Sequence, residues 1–393
     1  MPLGTPGQLD GFGRAVVVGD RAYLAGYTRG GGVKVGSMDL ATGEPVFATV
    51  DLLTWTSAPA FWASPQGLAL VVGRDGEAGG ALVVLDPDTG AVRWQTDADR
   101  PLAFYDSVLV TVSTSEQVVR ARDWVTGEEK WQAGYAGDYP NYVQPLANPL
   151  TGGLILGGSL SVDPADHRLL RIDADGTVQI LDARTGAELA AREGVGDLAP
   201  NQFTNLAYGG TLYRFHQEAP ARVVRHDLDR IETPTEVYSS TTERIENLAP
   251  CGAGRLCLLV SVLQGTSELI VLDEASRREL WRGPVSGDDT AIQSVGDRIL
   301  VGSGDLFDLG GHQLSVGPAS GLYVFLTADS ALSFRLGPDP FASPVAVGTM
   351  STVDGTMTQL GQIPPLAGSC GWNLRVLVCP AADGFHAWKL AAR

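Results

Sequence analysis

The sequence predicts an all-β fold built from repeated hairpins, and two observations carry that prediction. The stretch Asp86-Pro-Asp-Thr89-Gly90-Ala-Val-Arg-Trp94 returns as Asp123-Trp-Val-Thr126-Gly127-Glu-Glu-Lys-Trp131, so one Asp-x-x-Thr-Gly-x-x-x-Trp unit has been copied. Each copy also follows a short run rich in Val, Leu and Ala. Apolar β-formers that end in Asp, a Thr-Gly turn and a short amphipathic run are typical of a β-hairpin. A copied hairpin indicates a repeat protein.

Weaker copies set the period of the repeat. They begin at Asp39, Asp182 and Asp273, and the turn glycines at positions 43, 90, 127 and 186 are 47, 37 and 59 residues apart. A period of about 45 residues with four short strands is typical of a blade in a β-propeller. We therefore predict a single β-propeller domain over residues 1–393, because no Pro/Ser-rich linker or charge run divides the chain.

The blades can be assigned in order along the chain. Blades one to three are expected at residues 14–53, 59–97 and 101–134, and each ends on the repeated hairpin. Blade four is expected at 141–194, with an insertion at about 161–175. Blade five is expected at 202–240, with a divergent turn at 227–230, and blade six at 247–285. Blade seven is expected to begin at 291, to be interrupted by a Gly-rich insertion at about 303–340, and to resume at 345–363.

Residues 366–390 then form a partial eighth blade that lacks its fourth strand. We expect strands from the N- and C-terminal ends of the chain to complete this last blade together, because closure removes an open sheet edge. Residues 2–9 are the N-terminal candidate, although they are poor in β-formers. Eight four-stranded blades are predicted, with seven as the alternative.

The repeated residues are expected to shape and pack the blades. Asp accepts hydrogen bonds from the backbone of the turn, and Gly adopts the positive φ that other residues resist. The tryptophans lie at one shared offset from the turn, which predicts equivalent pockets between adjacent sheets rather than ligand stacking. The predicted blade-packing residues are Asp86, Thr89, Gly90, Trp94, Asp123, Thr126, Gly127, Trp131 and Trp281.

The unit resembles the pyrroloquinoline-quinone-like propeller repeat, whose family pattern is Ala-x-Asp-x-x-Thr-Gly-x-x-x-Trp. As architecture, the whole chain is similar to WD40-like propellers of the outer-membrane assembly factor B type, which are exported bacterial lipoproteins. The motif is clean in two units and degraded in the others. The resemblance implies a scaffold that binds a protein partner or an envelope polymer through its loops.

No cofactor is expected. Related quinoprotein dehydrogenases hold their quinone between a Trp and a disulfide of adjacent cysteines, beside a calcium ion. This chain has no Cys-Cys dipeptide, so that platform cannot be transferred to any of its residues. The acidic pairs Asp163 with Asp166, Asp173 with Asp175, and Asp288 with Asp289 are interpreted as solvated loops rather than calcium ligands.

The four cysteines form two local pairs, Cys251 with Cys257 and Cys370 with Cys379. Both pairs fall at the step from the first to the second strand of a blade, where neighbouring strands come within disulfide reach. Two structural disulfides are therefore predicted, and four buried free thiols are the alternative. Disulfides indicate an oxidising, extracytoplasmic compartment. Because no signal peptide follows Met1, we expect an export signal or membrane anchor upstream of it in the natural chain.

Charge and motifs exclude several classes of function. The net charge is −17, which opposes binding to nucleic acid or to anionic membranes. No run of residues is apolar enough to span a membrane. Nucleophile elbows, phosphate loops and zinc-binding helices are absent from the sequence. Of the five dispersed histidines, His216 and His226 are interpreted as able to face each other across neighbouring strands, which leaves a small chance of a metal site.

Three functional hypotheses remain after these exclusions. The first is a non-catalytic, exported, monomeric propeller that binds a protein partner or an envelope polymer. The second is a quinone-dependent or sugar-acting enzyme, whose carboxylates would come from separate blades and leave no sequence signature. The third is the ligand-sensing ectodomain of a membrane receptor or kinase. No catalytic, cofactor-binding or metal-binding residue is assigned.

Overall fold

A computed structural model gives the structure of the chain. It describes residues 13–27, 32–52, 60–73, 80–97, 99–135, 143–146, 166–173, 176–193, 204–208, 210–229, 234–252, 254–262, 267–286, 291–302, 304–317, 321–337, 339, 342–381 and 384–390. These residues form antiparallel sheets arranged as one all-β propeller of nine blades. No helix long and apolar enough to cross a bilayer occurs among them.

The strands follow one another in blade order. Blade one contains β1 (Gly13–Val18), β2 (Arg21–Tyr27), β3 (Val33–Asp39) and β4 (Val50–Leu52). Blade two contains β5 (Ala60–Ala63), β6 (Leu68–Gly73), β7 (Gly80–Leu85) and β8 (Val92–Asp97). Blade three contains β9 (Asp99–Phe104), β10 (Val108–Ser113), β11 (Val118–Asp123) and β12 (Glu129–Gly134). Blade four contains β13 (Val143–Pro145), β14 (Arg168–Ile172), β15 (Val178–Asp182) and β16 (Glu188–Arg192).

The second half of the chain continues the same order. Blade five contains β17 (Thr204–Tyr208), β18 (Thr211–His216), β19 (Ala221–Asp227) and β20 (Thr235–Ser240). Blade six contains β21 (Glu243–Pro250), β22 (Arg255–Val262), β23 (Ser267–Asp273) and β24 (Arg278–Val285). Blade seven contains β25 (Ile292–Val295), β26 (Arg298–Val301), β27 (Asp305–Asp308) and β28 (Gln313–Ser315). Blade eight contains β29 (Gly321–Thr327), β30 (Ser330–Arg335), β31 (Val345–Ser351) and β32 (Met357–Ile363). The last strands are β33 (Gly368–Ser369), β34 (Gly371–Trp372), β35 (Val376–Ala381) and β36 (Gly384–Lys389).

The blade count of eight, or seven, was wrong, because residues 291–363 hold two blades rather than one interrupted blade. Residues 303–340, expected to be an insertion, contain strands of both. The turn that ends the third strand of blade seven explains the error. There Asp308 Oδ1 accepts the backbone N–H groups of Gly310 and His312 at 2.8 and 2.9 Å, two and four residues on, whereas Asp86 accepts those two and three residues on. Its sequence Asp-Leu-Gly-Gly-His lacks the Thr and the Trp of the repeat, so the motif does not mark this blade in the sequence.

We expected strands from the two ends of the chain to complete the last blade, and the described residues show a different pairing. The proposed N-terminal strand, residues 2–9, lies outside the described residues. In the described part, β33 pairs in parallel with β1, with Gly368 opposite Gly13 and Ser369 opposite Arg14. A strand near the end of the chain thus extends the first blade, while β34, β35 and β36 form the three described strands of blade nine.

The core lies between the sheets rather than inside any one of them. Val and Leu alternate along the middle strands, and their side chains pack against those of the neighbouring blade. The clusters continue through the last junctions, where Phe334 of blade eight packs with Leu377 of blade nine, and Phe385 of blade nine packs with Leu24 of blade one. Burial of these faces stabilises the ring at about 25 cal/mol per Å² of apolar surface.

The first strands of successive blades lie next to one another around the centre of the ring. Two glutamines join these inner strands, because each side-chain amide forms the pair of hydrogen bonds that a backbone peptide group would form. Gln144 of blade four donates to the carbonyl of Asn205 and accepts from the N–H of Ala207 in blade five. Gln293 of blade seven bonds to Tyr323 and Phe325 of blade eight in the same way. The fourth strands are consequently outermost.

Candidate functional site

The repeated turn is held by its aspartate. Asp86 Oδ1 accepts the N–H groups of Asp88 and Thr89 at 2.9 and 2.8 Å and the Thr89 hydroxyl at 3.0 Å. Arg93 donates to the other oxygen at 2.7 Å. Burial opposes ionisation of this carboxyl group, but the hydrogen bonds from Thr89, Arg93 and Asp88 outweigh it and lower the pKa of Asp86 to about 2. The turn is therefore built around a carboxylate.

Other blades repeat this geometry. In blade one Asp39 accepts hydrogen bonds from Ala41 and Thr42, and in blade three Asp123 accepts hydrogen bonds from Val125 and Thr126. Backbone hydrogen bonds from the threonines lower the pKa of both aspartates. The turn thus forms independently of what packs against it.

The aromatic of one blade packs on the turn glycine of the next. Trp94 of blade two donates its indole N–H to the carbonyl of Trp124 in blade three at 3.1 Å. Its ring covers Gly127, whose φ is +72° and where a Cβ atom would stand 2.5 Å from Trp94 Cγ. We call this arrangement a dock: a turn glycine, the carbonyl of the residue after the turn aspartate, and the aromatic that covers them.

A second dock lies between blades three and four. Trp131 donates to the carbonyl of Ala183 at 2.9 Å and covers Gly186, where a Cβ atom would lie 2.6 Å from the ring. Both tryptophans are half-buried. They lie between adjacent sheets, where the repeat pattern places them.

Two more docks extend the series. Trp281 of blade six donates to the carbonyl of Leu309 at 3.1 Å and covers Gly311 of blade seven. In blade one Phe47 covers Gly90 of blade two, where a Cβ atom would stand 2.6 Å from the ring. The Gly311 dock was not expected from the sequence, because its turn lacks the repeat's threonine.

The turn of blade one has the same form but no aromatic on it. Gly43 has a φ of +78°, and among the described residues no atom lies within 4 Å of the position of a Cβ atom there. The residue after the aspartate is buried in three covered docks, at Pro87, Trp124 and Ala183, and half-buried in the fourth, at Leu309, as it is at Leu40. Since the blade-one dock, Leu40 and Gly43, has the repeat's sequence, only the structure distinguishes it from the covered ones.

Both cysteine pairs are joined. Cys251 is bonded to Cys257 in blade six, and Cys370 to Cys379 beside blade nine. Cys251 follows β21 and is joined to β22, whereas Cys370 lies between β33 and β34 and is joined to β35; all four residues are buried. The bonds lie within blades, so they stabilise individual sheets and present no reactive sulfur at the surface.

A buried ion network crosses blade three. Asp99 is 2 % exposed and accepts hydrogen bonds from Arg120 at 3.0 Å, Arg122 at 3.1 Å and Thr111 at 3.1 Å. Its charge is matched and its oxygens are bonded within the sheet, which is the arrangement that makes a buried carboxylate tolerable. The network organises the blade, and sequence spacing alone did not reveal it.

The interpretation of His216 and His226 as facing residues was wrong. The register of β18 and β19 pairs His226 with Leu212 and His216 with Arg222. Burial, together with nearby Arg214, lowers the pKa of His226 to about 4, so this ring is neutral at physiological pH. In the part of the chain that the structure describes, no group of three or more His, Cys, Asp or Glu residues could hold a metal ion.

Blade eight presents a different surface. Its outer strand β32 carries no charged residue, whereas each of the other outer strands except the short β28 carries one or more. Met357 and Leu360 on this strand are 39 % and 41 % exposed, and Val353 in the preceding turn is 57 % exposed. A cavity of about 230 Å³ opens beside them, with Arg335 in its lining. Uncharged outer strands are the ones that invite contact with other chains.

Blades one to four contain four regular turns, with aromatics at one offset in blades one to three and covered glycines in blades two to four. Residues 20–193 match the family model of outer membrane protein assembly factor BamB. The match runs from β2 to β16 and so covers the first four blades without the first strand of blade one. The resemblance to pyrroloquinoline-quinone-like propellers of the BamB type is thereby confirmed. The match leaves blades five to nine uncovered. No curated protein is similar in sequence to the chain.

Solved structures with a similar fold include a BamB and two proteins of other kinds. The crystal structure of BamB from Moraxella catarrhalis is 17 % identical, covers 98 % of this chain and 96 % of its own, and has a TM-score of 0.46. The WD40 domain of SCAP from fission yeast is 10 % identical, with 98 % and 93 % covered and a TM-score of 0.46. A chain of the mitotic checkpoint complex is 14 % identical, with 84 % and 86 % covered and a TM-score of 0.41. At these values the likeness carries no functional argument.

Proposed function

We propose that the chain is an exported, non-catalytic propeller that binds a protein partner at its outer surface. The observation that supports this most is the match of blades one to four to the family model of an outer-membrane assembly factor. A fold alone does not determine a function, so the proposal also depends on what the surface offers.

The disulfides favour the extracytoplasmic part of the proposal. Cys251–Cys257 and Cys370–Cys379 bonds persist where thiols are not kept reduced. The negative net charge of −17 favours a protein partner over nucleic acid.

The surface favours binding over turnover. The interfaces between blades are apolar and buried, and Asp39 and Asp86, whose pKa is lowered, bond to the repeated turns. Among the described residues, exposed large apolar side chains occur on several blades, and three of them, Val353, Met357 and Leu360, lie close together in sequence on the outside of blade eight. Apolar groups exposed on an outer strand are typical of a protein interface.

Photo-crosslinking in native cells tests the proposal. A photoreactive residue is placed at Val353 or Leu360, and the buried Ala121 position serves as the control. We expect one reproducible protein partner from the exposed positions, none from position 121, and oxidised cysteines in an extracytoplasmic fraction. A cytoplasmic chain with four alkylatable thiols, or no crosslinked protein from either exposed position, would contradict the proposal.

A further inference from the structure

We propose that a notch in the face of blade eight binds a carboxylate group, with Arg335 as its cationic anchor. The notch is the cavity of about 230 Å³ beside Met357, and all of the residues that line it belong to blade eight and to the described part of the chain. The inference goes beyond the proposed function, because it assigns a ligand chemistry to a site whether or not the ligand is part of a protein. The residues that define the notch are Ser333, Arg335, Ala346, Gly348, Met357 and Gln359.

The notch is present because blade seven is shorter than blade eight. The middle strands of blade seven, β26 and β27, have four residues each, whereas β30 and β31 of blade eight have six and seven. Leu306 and Met350 pack in one cluster between the two blades. However, β27 begins at Asp305, just before Leu306, and β31 begins at Val345, well before Met350. This end of blade eight therefore extends past the described strands of its neighbour.

Small side chains form the floor of the notch. Ser333 lies opposite Gly348, which lies opposite Gln359, and Arg335 lies opposite Ala346. Directly opposed residues on neighbouring strands project from the same face of a sheet, so these side chains border one space. The glycine and the alanine leave that space empty between the longer side chains of Arg335 and Gln359.

Arg335 carries the charge of the notch, and the described residues leave it without an ionic partner. On the second strands of the blades, it is the one exposed residue among those whose side chains are described. No described carboxylate forms an ion pair with it. Asp305 of blade seven instead accepts hydrogen bonds from Ser286 at 2.9 Å and from Gln313 at 3.3 Å. The guanidinium is therefore open to an anion from outside the described chain.

The size of the notch selects a small ligand. Its volume of about 230 Å³ is far above the ~10 to 15 Å³ that a single water needs. It is also below the ~300 to 1,000 Å³ of pockets that hold drug-sized ligands. A group about as large as an amino-acid side chain matches this space.

The charge of the notch selects a monoanion. Arg335 is the one charged residue in its lining, and Ser333 and Gln359 add neutral groups that can hydrogen-bond. A guanidinium pairs with a carboxylate through two parallel hydrogen bonds. A phosphate group carries about −1.5 to −2 charges at pH 7, and a single arginine does not balance that charge in a chain of net charge −17. A carboxylate is therefore the anion that fits.

Titration of the full chain with small acids tests the site. The probe is N-acetylglutamate N-methylamide, whose only charge is a side-chain carboxylate, and it is compared with its glutamine counterpart and with inorganic phosphate. We expect calorimetry and saturation-transfer NMR to detect binding of the glutamate probe. The glutamine probe should bind at least about tenfold more weakly, because it lacks the charge that strengthens hydrogen bonds to arginine. Phosphate should also bind more weakly than the glutamate probe.

Matched variants locate the binding. Arg335→Gln removes the charge of the notch, whereas Ala346→Leu keeps the charge and fills the space. Arg278→Gln is the control, because it removes one positive charge from an exposed residue on an outer strand of blade six. We expect the first two to weaken binding of the glutamate probe at least about tenfold and the control to leave it unchanged, with all three folded by circular dichroism. Gln359→Leu, at an exposed position, replaces Ala346→Leu if that variant does not fold.

The source of the carboxylate is determined by crosslinking from position 360 in native cells. If Arg335→Gln abolishes capture of a protein partner, the carboxylate belongs to that partner. If capture is unchanged, and an organic acid is released from purified wild type but not from Arg335→Gln, the ligand is a free small acid. Both results support the site.

Several results would overturn the inference. These are equal binding of the glutamate and glutamine probes, tighter binding of phosphate, equal losses in Arg335→Gln and Arg278→Gln, unchanged binding by the variants that fill the notch, or no binding of the probe. Failure of the proposed function is distinguishable from these results. A crosslinked partner without probe binding removes the notch alone, whereas probe binding without any crosslinked partner leaves the notch and removes the proposed function.

Discussion

At the scale of single residues, adjacent blades are joined where a tryptophan ring of one blade packs on the turn glycine of the next. Gly127 leaves room for the ring of Trp94, and a Cβ atom there would lie 2.5 Å from it. The indole N–H bonds at the same time to the carbonyl of Trp124. Each dock that a tryptophan covers therefore combines apolar burial, a hydrogen bond and a glycine with positive φ in one place.

Truncating a docked tryptophan should destabilise the protein. We expect Trp94→Ala or Trp131→Ala to lower the free energy of unfolding by about 3 kcal/mol, at the low end for large core truncations because the rings are half-buried. Trp→Phe at the same positions should cost about 1 kcal/mol, because it keeps the ring and loses the hydrogen bond. Chemical denaturation measures both, and a loss for Trp→Ala within the surface range of about 0.5 kcal/mol would be inconsistent with docking.

Paired glycine substitutions separate backbone strain from contact with the ring. Gly127→Ala and Gly43→Ala both place a Cβ atom at a φ of +70° to +80°, which costs roughly 1 to 2 kcal/mol. Only Gly127→Ala also meets a ring, so it should lose roughly 1 to 3 kcal/mol more. Thermal and chemical denaturation of the two variants give the difference, and equal losses would show that position 127 is not packed against Trp94.

At the scale of the element, acid should remove the stability that the Asp86 carboxylate gives to its hairpin turn. Hydrogen bonds outweigh burial and hold the folded-state pKa of Asp86 at about 2, below its usual value of about 3.9. The stabilisation is therefore present above pH 4 and is lost as the pH falls through 2. We expect the difference in stability between wild type and Asp86→Asn to shrink over that range. A constant difference from pH 5 to pH 2 would contradict the role of the carboxylate.

The disulfides act on single blades. Peptide mapping under non-reducing conditions should recover Cys251–Cys257 and Cys370–Cys379 as two short-loop bonds. Replacing one pair by serine should cost about 2 kcal/mol, because the loops closed are short. Recovery of four free thiols from exported protein would contradict both the pairing and the expected compartment.

The hairpins with complete motifs could be predicted from sequence, and those without them could not. Asp86 to Trp94 specifies turn, bulge and packing together, so blades two and three were placed correctly. Blade seven keeps only Asp308 and Gly311, and its strands of three or four residues between glycines resemble a loop. That no described residue covers Gly43 could not be predicted from its turn, which has the sequence of the repeat.

At the scale of the whole molecule, the scaffold and enzyme hypotheses differ in cofactor dependence. We expect no thermal stabilisation by pyrroloquinoline quinone with calcium, since ligand bound to the folded state must raise stability by about 2.7 kcal/mol at a hundredfold excess over Kd. Differential scanning fluorimetry with each component alone and together measures this. A melting shift that needs both components, with dye reduction by an alcohol or aldose, would favour the dehydrogenase.

The parallel pairing of β33 with β1 also determines when the ring can be finished. Gly13 and Gly368 stand at opposite ends of the sequence, and the nearby hydrogen bond from Asn373 to Gly19 joins residues 354 positions apart. The first blade to leave the ribosome, or to cross a membrane, thus receives its last strand only after blades two to eight have been made. Until the final segment arrives, its inner edge is exposed and able to pair with the wrong chain. A protein of this design depends on delivery of its whole length before it is stable.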